Sequence, residues 1–166
     1  MRYTIILLIC TILLSGCNQE LEIWGKETKG LVARIWTDKT VFGVGEQILV
    51  HYQVKNVSQN TQILWQSGFW PNQKIIVLDG NGKDIPVTDA GKLRREAFSP
   101  GGARDKNVEW PLAPGTIDNA LPTYNLREFF VLDTPGEYSI QYLYEEYQGG
   151  WEGKLWSNVI TIEIIK

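Results

Sequence analysis

The chain has 166 residues and a formal net charge of −3, with 16 Lys and Arg against 19 Asp and Glu. This balance offers no basic face and argues against a nucleic-acid partner. The length suits one domain with a sizeable core. Because the sequence contains a single histidine, His51, few arrangements remain for nucleophilic or zinc catalysis.

Residues 1–16 are predicted to form an export signal. An apolar run from Ile5 to Leu14 follows a positive residue, and it is too short to span a bilayer as a helix. The motif LSGC, which ends at Cys17, resembles the lipobox of bacterial lipoproteins. That resemblance implies cleavage between Gly16 and Cys17, then acylation of Cys17 by chains such as palmitate. The implied location is the bacterial cell envelope, exported and lipid-anchored to a membrane. The alternative is an ordinary signal peptide that leaves Cys17 as a spare thiol.

The remaining chain divides into two predicted parts. Residues 17–30 form the lipidated N-terminus and a tether, and Trp24 either belongs to that tether or docks on the domain. Residues 31–166 form one domain. Cys10 leaves with the signal and Cys17 carries lipid, so no thiol remains for a disulfide or a thiolate metal site.

Period-two alternation predicts strands along the domain, and no segment shows a helical period. The alternation places three sets of residues on common faces: Ile48, Val50, Tyr52 and Val54; Tyr138, Ile140, Tyr142 and Tyr144; and Trp156, Asn158, Ile160, Ile162 and Ile164. Further strand candidates are LVARIWT, TQILWQ, QKIIVLD and REFFVL.

Turn signals separate these strands. The sequence DGNGKD at residues 79–84 predicts a hairpin, and Pro-Gly pairs lie beside later strands. About seven or eight short strands predict an all-β, immunoglobulin-like antiparallel β-sandwich without a disulfide. Residues 90–125 are too long for a structureless loop, so we expect a hidden strand near NVEWPL.

The turn motifs also carry a resemblance. FGVGEQILVHYQVKN, IIVLDGNGKDI, LAPGT, DTPGEYSIQY and SNVITIEI resemble, in that order, immunoglobulin-like domains of bacterial secreted proteins and lipoproteins. They are also similar, more distantly, to the domain of bacterial intracellular proteinase inhibitors. The resemblance implies the sandwich fold, and it makes proteinase inhibition an alternative function.

We predict no catalytic residue, cofactor or metal ligand. His51 lies on a strand face, and Glu145 and Glu146 point to opposite faces of another strand. Residues 79–84 lack the ligand pattern of a calcium loop. The scattered basic residues between 92 and 106 are interpreted as a solvated loop.

The tryptophans are the unusual feature of the composition, with seven in the chain. Trp36 and Trp156 are predicted to fill the core. Four other rings are candidates for partner binding, with core packing as their alternative: Trp65, Phe69, Trp70 and Trp151.

These observations predict a lipid-anchored envelope module without enzymatic activity that binds a protein or cell-wall glycan partner non-covalently. A surface-displayed proteinase inhibitor is the first alternative, and a carboxylate-dependent hydrolase is the second. Coplanar exposed rings would favour a glycan, an exposed loop within residues 90–125 would favour inhibition, and two carboxylates in one cleft would favour hydrolysis.

Overall fold

The computed structural model describes residues 22–66, 72–97, 108–118, 123–147 and 150–166. Within these ranges the chain forms ten strands and two helices. In chain order they are β1 (Leu31–Thr37), β2 (Val41–Gly43), β3 (Leu49–Asn56), β4 (Gln62–Gln66), β5 (Gln73–Asp79), α1 (Asp89–Ala97), β6 (Val108–Leu112), β7 (Ile117–Asp118), β8 (Tyr124–Asn125), α2 (Leu126–Phe129), β9 (Gly136–Glu146) and β10 (Gly153–Ile165).

The strands form two main sheets and a ribbon. The first sheet has the order β1-β3-β7, with β8 also paired to β3, and the second has the order β2-β10-β9-β5. The ribbon pairs β4 with β6. All pairs are antiparallel except β2 with β10. The prediction of an all-β, sandwich-like fold is therefore confirmed, with helices confined to two short segments.

The core lies between the inner faces of the two main sheets. The alternating residues predicted for β3 and β9 are all buried there, and they belong to one apolar cluster with the inner residues of β1, β5 and β10. Tyr52 and Tyr142 stack within this core, with ring centroids 4.6 Å apart. No described residue is a cysteine, so close packing and hydrogen bonds hold these sheets together.

The prediction of which β10 residues share the buried face is wrong for the first half of the strand. The register against β9 shifts between Trp156 and Val159, as a β-bulge requires. Before the bulge Leu155 and Ser157 are buried, whereas after it Ile162 and Ile164 are buried. The extra residue reverses the faces, so Trp156 lies on the outer side and is only half-buried rather than part of the core.

Two helices occupy segments where the sequence predicted none. The first three residues of REFFVL complete α2 rather than a strand, because Asn125 caps the helix by accepting a hydrogen bond from the Arg127 backbone N–H. Leu126 and Phe129 then share its buried face. Helix α1 lies in the segment expected to lack helical structure. The strand expected near NVEWPL is confirmed as β6.

The turn predicted after β5 is present, and it returns the chain to an isolated antiparallel bridge between Leu78 and Asp84 rather than to a second strand. The Asp79 carboxylate accepts hydrogen bonds from the backbone N–H groups of Asn81 and Lys83, both at 2.9 Å. These bonds make the segment a turn. Among the described residues, neither helix is long and apolar enough to cross a membrane.

Candidate functional site

The outer face of the β1–β3 sheet carries a row of aromatic and polar side chains. Leu31, Ala33 and Ile35 of β1 point into the core, so Arg34 and Trp36 point outward. The register places Arg34 opposite Gln53 and Trp36 opposite His51. We call Trp24, Arg34, Trp36, His51 and Gln53 the outer strip.

The Arg34 guanidinium lies between two indole rings of this strip. Its Cζ is 4.8 Å from the ring centroid of Trp24 and 4.9 Å from that of Trp36, within the range of cation–π attraction. Its Nε donates to Gln53 Oε1 at 2.8 Å, and Nη2 lies 2.9 Å from Glu22 Oε1. These contacts hold the guanidinium plane at the surface, and its side chain is 18% exposed.

Trp24 reaches the strip because the N-terminal segment, residues 22–30, folds back along β1. The backbone groups of Thr28 and Leu31 bond to each other around Lys29 and Gly30, which both have positive φ, as in a type I′ turn. The Gly25 N–H then donates to the Ala33 carbonyl at 2.8 Å. Of the two alternatives for Trp24, the structure shows the docked one.

A groove of about 560 Å³ lies beside the strip, between β1 and β10. Its lining includes Glu22, Arg34, Trp36, Asn158 and Thr161. The wall is thus an aromatic ring edged by an ion pair, an amide and a hydroxyl group. Such a mixture suits a ligand with both apolar and polar parts.

His51 supports Trp36 from the neighbouring strand. The two rings are stacked with centroids 5.2 Å apart and planes 19° from parallel. Thr123 Oγ1 lies 3.1 Å from His51 Nδ1, and Asp38 Oδ1 lies 3.3 Å from Nε2. The stacking and the Thr123 contact hold the imidazole ring as a packing surface for the indole.

A second cleft of about 420 Å³ has two carboxylates in its lining, those of Asp38 and Glu46. A hydrogen bond from Lys39, followed by one from the Gly43 backbone, lowers the pKa of Glu46. A glycosidase-type hydrolysis needs one carboxyl group whose pKa is raised so that it can donate a proton. In this cleft the hydrogen bonds lower the pKa of Glu46 instead of raising it. The cleft therefore gives no support to the hydrolase alternative.

Of the four candidate binding aromatics, the structure describes Trp65 and Trp151, and both contact Tyr144. Trp151 is 3% exposed, and its ring packs against Tyr144 while its indole N–H donates to the Lys29 carbonyl at 3.2 Å. Burial corrects the prediction that Trp151 is presented to a partner. Trp65 is half-buried on β4, and its backbone is hydrogen-bonded to the Tyr144 hydroxyl.

Four other predicted site residues fall on parts of the chain that the structure does not describe. Phe69 and Trp70 lie outside the described residues, as do Gly16 and Cys17. Trp36, expected in the core, is half-buried on the outer face instead. None of the tryptophans in the described ranges is fully exposed.

The sequence already contained one signal for the outer strip. In LVARIWT both alternating sets contain apolar residues, but only one set contains Arg34. Since an unpaired arginine is seldom buried, that residue indicates that Val32, Arg34 and Trp36 face outward. No local signal could show that Trp24 docks beside them.

The described residues define an all-β protein of packed sheets. No protein-family model matches the chain, and no curated protein matches it significantly. Among solved structures it is similar to a β-glucosidase, EmGH1, from Erythrobacter marinus, with a TM-score of 0.42 and 10% identity. That match covers 81% of this chain and only 15% of the enzyme's chain.

Proposed function

We propose that this protein is a lipid-anchored binding module of the bacterial cell envelope, anchored through Cys17, that binds a protein or glycan partner non-covalently. The observation that supports binding is the outer strip with its adjoining groove. The LSGC motif supports the anchor. No specific observation favours the inhibitor or hydrolase alternative over this one.

The chemistry of the strip resembles that of known recognition surfaces. Tryptophan and arginine dominate the binding energy of many protein interfaces, because they combine large contact area with directional polar groups. Here Trp24, Arg34 and Trp36 form one stack that Gln53 and His51 hold in place. A stack held this way loses little side-chain freedom on binding, and such preorganisation favours affinity.

Site-specific photo-cross-linking in living cells tests the proposal. The full chain is expressed in its envelope with a photoreactive residue at Thr37, which lines the groove. A matched control places the same residue at Asn81, which is exposed in the turn after β5, two strands away from β10 and outside the groove lining. We expect adducts from position 37 that Trp24→Ala or Arg34→Ala diminishes, and few from position 81.

Digestion identifies the class of partner, since a protease removes a protein adduct and a cell-wall lytic enzyme removes a glycan adduct. Equal labelling from both positions, or no labelling from position 37, would contradict the proposed site. Radioactive palmitate tests the anchor separately. The label is expected on the wild-type protein and absent from Cys17→Ser, and a wild-type protein without label would contradict lipid attachment.

A further inference from the structure

Glu22 and Arg34 form an ion pair at the edge of the groove, and the Glu22 carboxylate contacts the guanidinium as the carboxylate of a ligand would. Arg34 is mostly buried between Trp24 and Trp36, whereas the Glu22 side chain is 52% exposed. The carboxylate approaches from the N-terminal segment through Oε1, at 2.9 Å from Nη2. An exposed contact of this kind is weak and is screened by salt.

The guanidinium retains capacity for a stronger partner. Gln53 occupies Nε, Glu22 meets Nη2, and no partner of Nη1 is found among the described residues. Arginine binds carboxylates best when two parallel N–H groups meet two oxygens. A ligand carboxylate entering from the groove could take that bidentate position by displacing Glu22.

We propose that the outer strip recognises a carboxylate group of its ligand through Arg34, and that Glu22 occupies this position in the unliganded protein. The inference rests on the proposed binding function, which it deepens by naming the chemistry that is recognised. Gln53 fixes the guanidinium from the side, and the two indole rings exclude water from its faces. The groove then receives the rest of the ligand beside Trp36, Asn158 and Thr161.

The ligand carboxylate has two possible sources in an envelope, an acidic peptide or an acidic glycan. Two labelled probes distinguish them: a tetraglutamate peptide and a trigalacturonate oligosaccharide. Tetraglutamine and a neutral trisaccharide serve as uncharged controls, with both peptides acetylated at the N-terminus and amidated at the C-terminus so that only the glutamate side chains carry carboxylates. Binding to the full lipidated chain in phosphatidylcholine vesicles is followed by fluorescence anisotropy at low and high salt.

Substitution of Glu22 should strengthen binding because it removes the internal competitor. An exposed ion pair contributes little, so Glu22→Gln is expected to tighten binding of the preferred acidic probe by about two- to five-fold. Glu27→Gln is the matched control, since it changes the same charge on the same exposed segment. Arg34→Lys should weaken binding about ten-fold, because lysine lacks the planar fork.

Equal effects of Glu22→Gln and Glu27→Gln would overturn the inference, because they would show a general charge effect. It would also fall if neither acidic probe bound better than its neutral control to the wild type or to Glu22→Gln. If position 37 gave cross-links but neither acidic probe bound better than its neutral control, the proposal of a binding module would be retained. Only the inference that it recognises a carboxylate would be rejected. Failure of both experiments would remove the proposed function as well.

Discussion

Glu145 is a nearly buried carboxylate on β9 that three side chains hold in place. Lys74 donates to one oxygen at 2.6 Å, and Lys154 lies 2.7 Å from the other, which the Tyr147 hydroxyl also meets. Burial alone would raise the pKa of Glu145, but the hydrogen bonds from Lys154, Lys74 and Tyr147 outweigh it and hold the pKa at about 2, below the ordinary 4.5. The ionised form therefore stabilises the folded state.

A pH-dependent loss of stability follows from this depressed pKa. The unfolded chain binds a proton at Glu145 at a higher pH than the folded chain does. The contribution is therefore complete above about pH 4.5 and declines as the pH falls towards 2. Urea unfolding of the wild type and Glu145→Gln, measured between pH 6 and pH 3, should give free energies that converge as the pH falls. A constant difference across that range would contradict the prediction.

At the bulge of β10, the Asn158 side chain links the edges of the two sheets. The Asn158 amide accepts a hydrogen bond from the Ile35 N–H at 2.7 Å and donates to the Ile35 carbonyl at 3.0 Å. It thereby takes the place of a neighbouring strand beside β1. An unpaired strand edge invites pairing with another chain, and this amide covers it at that point.

Removal of this amide should destabilise the protein locally and globally. Ile35 is 1% exposed, so Asn158→Ala leaves two backbone groups without a partner and should lower the free energy of unfolding by about 1–3 kcal/mol. Amide hydrogen exchange should accelerate at Ile35. Asn158→Asp should also destabilise, since a carboxylate can accept from the N–H but cannot donate to the carbonyl. The neighbouring change Val159→Thr, at an exposed position, provides the control; an unchanged exchange rate at Ile35 in Asn158→Ala would refute the role of the amide.

How far an element can be predicted from sequence depends on whether its signal is local. The alternation in β3 is strict, and its buried face was predicted correctly. The predicted face of β9 is buried too, although Leu143, Glu145 and Glu146 are buried beside it. The bulge in β10 inserts one residue, and nothing in the amino-acid sequence of that strand indicates it. REFFVL has strong strand propensity, but the cap at Asn125 and the buried pair of Leu126 and Phe129 make its first part helical. The outer strip depends on cross-strand register and on a docked segment, so only its Arg34 could be recognised in advance.

At the scale of the whole molecule, the docked N-terminal segment determines how close an anchored domain lies to its membrane. Given lipid attachment at Cys17, as proposed, the chain from that residue to the start of the docked segment at Glu22 spans at most about 18 Å when extended. If the segment detached as far as Leu31, the limit would rise to about 50 Å. Docking therefore holds the outer strip near the membrane surface.

Gly25 allows this arrangement to be tested, because the docked segment has no space for a side chain there. A Cβ at Gly25 would lie 2.2 Å from the Trp156 carbonyl oxygen and 2.5 Å from the Ser157 carbonyl carbon, so Gly25→Ala should release the segment. Gly43→Ala is the matched control, since its nearest neighbour would be 3.8 Å away.

A donor dye on Lys83→Cys, at an exposed turn, reports distance to acceptor dyes in the membrane by energy transfer. Gly25→Ala should lower the transfer efficiency while Gly43→Ala leaves it unchanged, because only the first substitution lengthens the free tether. Equal efficiencies in all three proteins would mean that the segment does not set the height of the domain, and the position of the outer strip would then depend on its partner alone.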